Sequence, residues 1–254
     1  LAPRPAAAHP TARPSDGFRL AAALGLLQLA VQLLDWRGAP LAVAGVAVGF
    51  RPLRRLLPAG SLRLAHGLPA VVALRGVITC AFFGAEAYLP LTLTRVHGGS
   101  PRVVGIPLTL AALGWAAGSW LQGRSVGRRV ALVRAGFALV AAGVAALVGI
   151  DVHQTSLWLA VPIWTVAGAG MGLAITLVAV LVLELSPEAE QGANSAALQI
   201  SDMTGSVVGI AGAGAVITAF GVHNLSAAAV VADIGLATVA ALGMVLAGRI
   251  SVRR

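Results

Sequence analysis

Eight apolar segments follow one another along the chain, separated by short breaks that are rich in arginine, proline or glycine. A membrane-spanning helix needs about 20 predominantly apolar residues, and each segment is close to or above that length. None of them alternates apolar with polar residues as a membrane β-strand would. The sequence therefore predicts an all-α polytopic membrane protein with about eight transmembrane helices, over residues 18–35, 39–56, 68–94, 101–123, 130–149, 156–184, 192–220 and 224–247.

The composition argues against an ordinary soluble globule. Of the 254 residues, 58% are hydrophobic and 11% are charged, and the mean hydropathy is +0.89. A soluble domain carries about 25% charged residues, which it needs to cover its surface. The 18 basic residues are all arginine. They lie mostly in the breaks and form no basic face interleaved with aromatic residues, so we expect no nucleic-acid partner.

The arginines also predict which side of the membrane each break faces, because cytoplasmic loops carry an excess of basic residues. With residues 1–17 in the cytoplasm and alternating sides, three arginines face the other side and Arg75 lies within the membrane. Both termini of this chain are then cytoplasmic. The arginines on the cytoplasmic side are Arg4, Arg13, Arg19, Arg51, Arg54, Arg55, Arg63, Arg124, Arg128, Arg129, Arg134, Arg249, Arg253 and Arg254.

Two charged residues, Arg75 and Glu86, lie inside the third apolar segment. On a helix they point the same way, since eleven residues turn through about 1100°, but they are about 16 Å apart along the axis. A charge in the bilayer centre costs about 2.5–3.5 kcal/mol on insertion scales, so each needs its own partner or its own water.

The two residues have different alternatives. Arg75 either lines a cavity or extends to the cytoplasmic interface. Glu86 lies deeper on a shorter side chain, and it is either a cavity-facing functional carboxylate or a structural residue. Tyr88 and Pro90 follow closely, and we expect Pro90 to kink the outer end of this helix.

Polar residues form one stripe on the seventh segment. A polar stripe on a membrane helix faces protein or water rather than lipid. Asp202 lies about ten residues into the segment, near mid-depth. It either lines a cavity or makes an interhelical hydrogen bond that only fixes packing. The stripe consists of Ser195, Gln199, Asp202, Ser206 and Gly209.

Glycines and tryptophans indicate where helices approach closely or enclose a pocket. The pairs Gly205/Gly209 and Gly168/Gly172 have the small-xxx-small spacing that permits close helix contact, with a gating hinge as the alternative. Trp115 and Trp164 lie deep in the fourth and sixth segments, where they are candidates for lining a pocket.

The chain contains no recognisable catalytic motif. Its histidines are scattered without metal-ligand spacing, and Cys80 is its only cysteine. It has no P-loop and no GxSxG motif. We therefore expect neither enzyme activity nor a cofactor nor a metal site. One acidic loop, residues 184–194, either pairs with the arginine-rich loop at 123–130 or is simply solvated.

Three stretches resemble the carboxy-terminal half of the major facilitator superfamily, in particular its bacterial drug/proton antiporter-like members. They read LRGVITCAFFGAEAYLPLTL (74–93), GIPLTLAALGWAAGSWLQGR (105–124) and LSPEAEQGANSAALQISDMTGSVVG (185–209). The loop at 118–129 is similar to the family's G-x-x-x-D-R-x-G-R-R motif, although Gln122 or Gly123 stands where the aspartate is expected. It keeps Gly118, Arg124, Gly127, Arg128 and Arg129.

The resemblance implies an organisation. Residues 1–17 would be a Pro/Ala/Arg-rich cytoplasmic linker, and residues 18–57 a pair of transmembrane helices. A basic cytoplasmic loop, 58–67, then leads into the second six-helix bundle of the family, 68–247, which a basic tail, 248–254, follows. Helices one and two are either the central pair of fourteen-helix members or the last two helices of the first bundle. We expect the chain to be a fragment that lacks an amino-terminal helix bundle.

The resemblance also implies a function, which is proton-coupled export of small hydrophobic or cationic compounds across a bacterial cytoplasmic membrane. The partners would be the lipid bilayer, a small-molecule substrate and protons. Position in this sequence makes Glu86 and Asp202 the candidates for proton or ion coupling. A membrane-embedded structural or assembly subunit is the alternative. The candidates for lining the substrate cavity are Arg75, Tyr88, Trp115, Trp164, Ser195, Gln199 and Ser206.

Overall fold

The computed structural model describes residues 13–33, 38–124, 127–153 and 155–250. Most of the predicted linker, the end of the predicted basic tail and the residues Arg4, Arg37, Arg253 and Arg254 lie outside these ranges. The described residues contain α-helices and short 3-10 turns and no strand, so the predicted all-α class is confirmed. The helices are α1 (Pro14–Gln32), α2 (Gly38–Leu56), α3 (Leu68–Glu86), α4 (Leu89–Arg95), α5 (Pro101–Gly123), α6 (Arg129–His153), α7 (Ala160–Leu185), α8 (Gln191–Phe220) and α9 (Leu225–Leu246).

Six helical stretches in the described residues are long and apolar enough to cross a membrane. They coincide with the third to eighth apolar segments. Helices α1 and α2 lie at the first two segments and pack against each other, and α1 also contacts α8. Their apolar stretches are shortened by polar residues, at the start of α1 by Asp16 and Arg19 and at the end of α2 by three arginines. That these two helices also span the membrane stays a prediction.

The first of the six stretches, Leu68–Arg95, is interrupted near its end. Helix α3 ends at Glu86, and α4 begins at Leu89. The interruption lies where Pro90 is expected to disturb the helix. Proline has no N–H to donate, and its ring clashes with the carbonyl group four residues earlier, which here belongs to Glu86. Glu86 therefore lies at a helix end rather than in a regular helix interior.

The order along the chain groups the six stretches into two triplets, α3–α5–α6 and α7–α8–α9, with α4 continuing α3. The most extensive contacts among them join helices of different triplets. The first helix of each triplet packs against the second helix of the other, as α3 on α8 and α7 on α5. Each first helix also packs against the third helix of the other triplet, α3 against α9 and α7 against α6. The two third helices, α6 and α9, contact each other. The pairing is thus the same for both triplets.

Helices α3 and α7 occupy the centre of this arrangement. In the most apolar 18-residue part of each of their stretches, 67% of the residues are buried inside the protein, against 22–39% in the other four stretches. Three of the six stretches precede α7 and three begin with it, and the helix contacts of the two triplets follow the same pattern.

Glycines allow the closest helix contacts. A β-carbon on Gly205 of α8 would collide with the backbone carbonyl of Gly76 on α3, and one on Gly209 would collide with that of Cys80. At the equivalent interface, Gly168 and Gly172 of α7 meet the backbone of α5 in the same way. Both predicted small-xxx-small pairs thus lie at helix contacts, which supports packing as their role.

Segments that are distant in the sequence meet at one end of the bundle. There the Gly67 N–H donates to the carbonyl oxygen of Arg249 at 2.9 Å, so the start of α3 meets the segment that follows α9. At the same end, Arg129 at the start of α6 pairs with Glu184 near the end of α7. This ion pair matches the first interpretation of the acidic loop, in which it pairs with the arginine-rich loop.

We expect Gly205→Ala to lower the stability of the protein, because the added methyl group has no room against the backbone of α3. Overpacking of this kind costs about 1–3 kcal/mol. The matched control is Gly212→Ala on the same helix, where a β-carbon would meet nothing within 4 Å. Thermal unfolding in detergent checks this: a lower midpoint for Gly205→Ala alone is expected, and equal midpoints for both variants would contradict the tight contact.

Candidate functional site

Arg75 on α3 and Asp202 on α8 form an ion pair inside the bundle. The Arg75 Nε donates to Asp202 Oδ1 at 2.8 Å and its Nη2 donates to Oδ2 at 3.3 Å, which is the two-bonded geometry that guanidinium favours. The Arg75 Nη1 donates to the carbonyl oxygen of Ile175 on α7 at 3.2 Å. One side chain thus connects both central helices to α8.

Hydroxyl groups complete the surroundings of Asp202. The Thr79 Oγ1 of α3 donates to the Asp202 carbonyl oxygen at 3.1 Å, and the Ser206 Oγ donates to the same oxygen at 2.9 Å. The residue before Asp202 also bonds to α3: the Ser201 Oγ donates to the carbonyl oxygen of Val72 at 2.7 Å. The α3–α8 contact therefore combines glycine packing with several interhelical hydrogen bonds.

This geometry decides the alternatives for Arg75. Arg75 is only 8% exposed and is neutralised by Asp202, so its extension to the membrane interface is wrong. The reason is the register of α3 and α8, which puts a carboxylate within reach. Asp202 makes the interhelical bond foreseen as its second interpretation, and its side chain remains 22% exposed. Exposure of that size leaves its predicted role at a cavity open.

The rest of the polar stripe on α8 is less uniform than the helical spacing suggests. Gln199 is exposed, Ser195 is half-buried, and the Ser206 hydroxyl is occupied by its own helix. Gly209 is buried against the backbone of α3. The structure therefore brings Asp202 together with Arg75, but it does not gather the five stripe residues around one point.

Glu86, at the end of α3, lies beside an aromatic cluster formed by Phe82, Phe83, Trp115 and Trp164. The Trp164 Nε1 donates to the Glu86 Oε1 at 3.5 Å. Trp164 is fully buried and stacks on Phe82, with ring centroids 4.8 Å apart and planes at 14°. Trp115 meets Phe82 edge-on at 6.1 Å and lies 6.4 Å from Phe83. Residues of α3, α5 and α7 thus converge on a half-buried carboxylate.

A carboxylate next to aromatic rings has a defined chemical preference. The faces of tryptophan and phenylalanine attract cations, and the interaction is strongest where water is excluded. A carboxylate adds a full negative charge, and it can also take up a proton instead of a cation. Trp164 and Phe82 are buried against each other, so the partly exposed rings of Phe83 and Trp115 and the Glu86 carboxylate are the groups of this cluster that could meet a cation.

Tyr88 anchors the interruption between α3 and α4 rather than the aromatic cluster. Its hydroxyl donates to the carbonyl oxygen of Ile210 on α8 at 3.1 Å. Its ring lies against Gly214 of the same helix, where any larger side chain would collide with the tyrosine oxygen. Because this contact fixes where α3 ends, it also fixes the position of Glu86 two residues earlier.

Sequence reasoning missed Phe82 and Phe83 as members of the site. Phe82 precedes Glu86 by four residues, and such residues share one face of a helix. This spacing alone could have predicted that Phe82 lies next to Glu86. The contact of both phenylalanines with Trp115 and Trp164 was not readable, because it depends on how α5 and α7 pack against α3.

The loop that resembles the family motif has a structural role at the end of α5. Gly118 packs against the backbone of Ala169 on α7, and the Arg124 guanidinium lies 3.6 Å from the ring centre of Trp120. Gly127 has a φ of +92°, a conformation that glycine adopts without strain. Arg128 is exposed, and Arg129 pairs with Glu184 of α7.

The fold and the site together define a class: a helical bundle with six stretches able to cross a membrane, an internal ion pair and a carboxylate beside aromatic rings. In the described residues, no group of three or more His, Cys, Asp or Glu side chains is placed to hold a metal ion. Comparison with protein-family models and with curated protein sequences gave no match.

We expect Arg75→Leu and Asp202→Leu each to destabilise the protein by about 3–5 kcal/mol, because each leaves one buried charge without its partner. The double variant should be less destabilised than either single one, since it leaves no unpaired charge. The control is Arg129→Leu, whose exposed pair with Glu184 should contribute about 1 kcal/mol or less. Unfolding in mixed detergent measures all four, and additive losses in the double variant would contradict the pair.

Proposed function

We propose that this chain is the carboxy-terminal part of a secondary active transporter of the major facilitator type. It exports small hydrophobic or cationic compounds across a bacterial cytoplasmic membrane in exchange for protons, by alternating access. Its termini face the cytoplasm, where most of its arginines lie. Two findings support the proposal, one from the fold and one from the site.

The fold supports it through the repeated pairing of two helix triplets. Transporters of this type contain inverted three-helix repeats within each six-helix half, and bind substrate near the bilayer midplane. In this chain α3 and α7 are the corresponding first helices of the triplets and occupy the centre. Alternating access then requires a second bundle, which we propose precedes this one in the complete transporter.

The observation that carries the proposal is the half-buried Glu86 carboxylate beside the aromatic cluster. An ionised Glu86 attracts a cation by charge, while the partly exposed rings of Phe83 and Trp115 attract its apolar and cationic parts. A protonated Glu86 loses the charge attraction. Proton and cation therefore compete for the same carboxylate, and such competition is what an exchange of one for the other requires.

Asp202 has a second place in this proposal. Its carboxylate is held by Arg75, which also bonds to α7 through the Ile175 carbonyl. Protonation of Asp202 would release the guanidinium from its partner and weaken a connection between α3, α7 and α8. The ion pair is thus a candidate for coupling protonation to helix movement, while Glu86 binds the substrate.

A structural or assembly subunit is the second candidate function. It is favoured by the complete pairing of Arg75 with Asp202 and by the glycine contacts, which serve packing without any transported compound. The two candidates differ in one respect. A structural role needs Glu86 only for folding, whereas a transport role needs its charge.

We expect Glu86→Gln in the complete gene to express at normal abundance and to reduce efflux of a hydrophobic cationic dye about tenfold or more. It should also abolish the dependence of that efflux on external pH. The reason is that glutamine keeps the shape and the hydrogen-bonding capacity with Trp164 but carries neither the charge nor an exchangeable proton. Proton-gradient-driven dye efflux from everted vesicles measures both effects.

The matched control is Glu188→Gln, which removes an exposed carboxylate before α8 and should leave efflux unchanged. A neutral dye of similar shape should be much less sensitive to Glu86→Gln than the cationic one. Normal efflux with normal pH dependence in Glu86→Gln would overturn the site. Loss of abundance in this conservative variant would instead favour the structural candidate.

A further inference from the structure

Two carboxyl groups meet in the bundle away from the site described above. Asp151 lies near the end of α6 and Asp233 lies within α9, and both line the same small cavity. They are among the most deeply buried ionisable groups in the described chain, with 6% and 8% of their surfaces exposed. Both lie within stretches that are apolar enough to cross a membrane.

Among the described residues that line the cavity beside this carboxyl pair, none supplies a neutralising charge. The cavity has a volume of about 20 Å³, and its other walls come mainly from apolar residues of α3, α4, α6, α8 and α9. Tyr88 is the other titratable group in its lining, and its hydroxyl donates to Ile210. The Thr92 hydroxyl, also in the lining, donates to the Leu89 carbonyl oxygen.

One oxygen atom of the carboxyl pair stands out. The Asp151 Oδ2 is buried, and no N–H or O–H group of the described residues donates a hydrogen bond to it. A buried acceptor without a donor costs about 1–3 kcal/mol, and more if it is charged. Of the described groups in the cavity lining, the Tyr88 and Thr92 hydroxyls donate elsewhere, which leaves the Asp233 carboxyl as donor. It can donate only if one of the two carboxyls carries a proton.

We propose that Asp151 and Asp233 form a proton-binding site, in which the two carboxyl groups share one proton between α6 and α9. Two carboxylates in contact repel each other strongly in an apolar interior, so one of the two remains protonated. The shared proton removes that repulsion and forms the O–H···O bond that joins the helices. The cavity beside the pair has room for one water molecule, through which the proton can exchange.

The place of the pair in the fold gives the proton a structural consequence. Helices α6 and α9 are the third members of the two triplets and contact each other along the bundle. Loss of the shared proton puts two like charges into this contact. The pair is therefore a clamp between the triplets that holds at neutral pH and opens when the proton is withdrawn. This inference does not depend on the proposed transport function.

The test is infrared spectroscopy of the purified chain in detergent, with carboxyl-¹³C-labelled aspartate. We expect a carboxylic-acid C=O band that shifts with the label in the unmodified protein at neutral pH. The label separates this band from any signal of Glu86. Absence of a label-sensitive band at neutral pH would mean that both aspartates are ionised, and would overturn the proposal without the use of any variant.

Variants distinguish a shared proton from two independent ones. In Asp151→Asn and in Asp233→Asn, the amide N–H replaces the shared proton as donor, so the remaining aspartate ionises. Either variant alone should therefore abolish the whole band, whereas Glu188→Gln should leave it intact. Loss of about half the band in each single variant would overturn the sharing of one proton.

Thermal unfolding gives a second readout of the clamp. The unmodified protein should lose stability as the pH is raised and the shared proton is withdrawn. Asp151→Asn and Asp233→Asn should lose much less over the same range, since their hydrogen bond needs no bound proton. Parallel pH dependence in all three proteins would overturn the clamp.

Discussion

Close contact between helix backbones at glycines is the constraint on which the rest of this structure depends. Lipid gives apolar helices no hydrophobic reason to associate, so association relies on dense packing and on hydrogen bonds between helices. Gly205 and Gly209 bring α8 onto α3, while Gly168 and Gly172 bring α7 onto α5. These two contacts determine which side chains can meet, and the ion pair and the aromatic cluster both follow from them.

Charge is satisfied inside the bundle in three different ways. An arginine meets a carboxylate and a carbonyl oxygen, a lone glutamate accepts from an indole N–H, and two buried aspartates line one small cavity. Burial makes each of these arrangements sensitive to the loss of one partner, because a buried charge without a partner is not solvated by water.

The positions of the helices could be predicted from the sequence, because a run of apolar residues long enough to span a membrane has few alternative structures. The residues of the site were predictable only one helix at a time. Asp202 and Arg75 were each recognised as unusual, but their pairing depends on the register between α3 and α8. Asp151 lies beyond the predicted apolar segment, which ends at residue 149, and its meeting with Asp233 depends on the register between α6 and α9.

The central claim is that the six stretches cross a bilayer in alternating directions, so that their buried ionisable groups face one another rather than lipid. The most direct test is labelling of single cysteines, in a Cys80→Ser background, with a membrane-impermeant maleimide in oriented vesicles. The account predicts that Arg63→Cys, Arg128→Cys and Glu188→Cys react from one side, and that Ser100→Cys, Ser156→Cys and Asn224→Cys react from the other. Labelling of all six positions from the same side would contradict it.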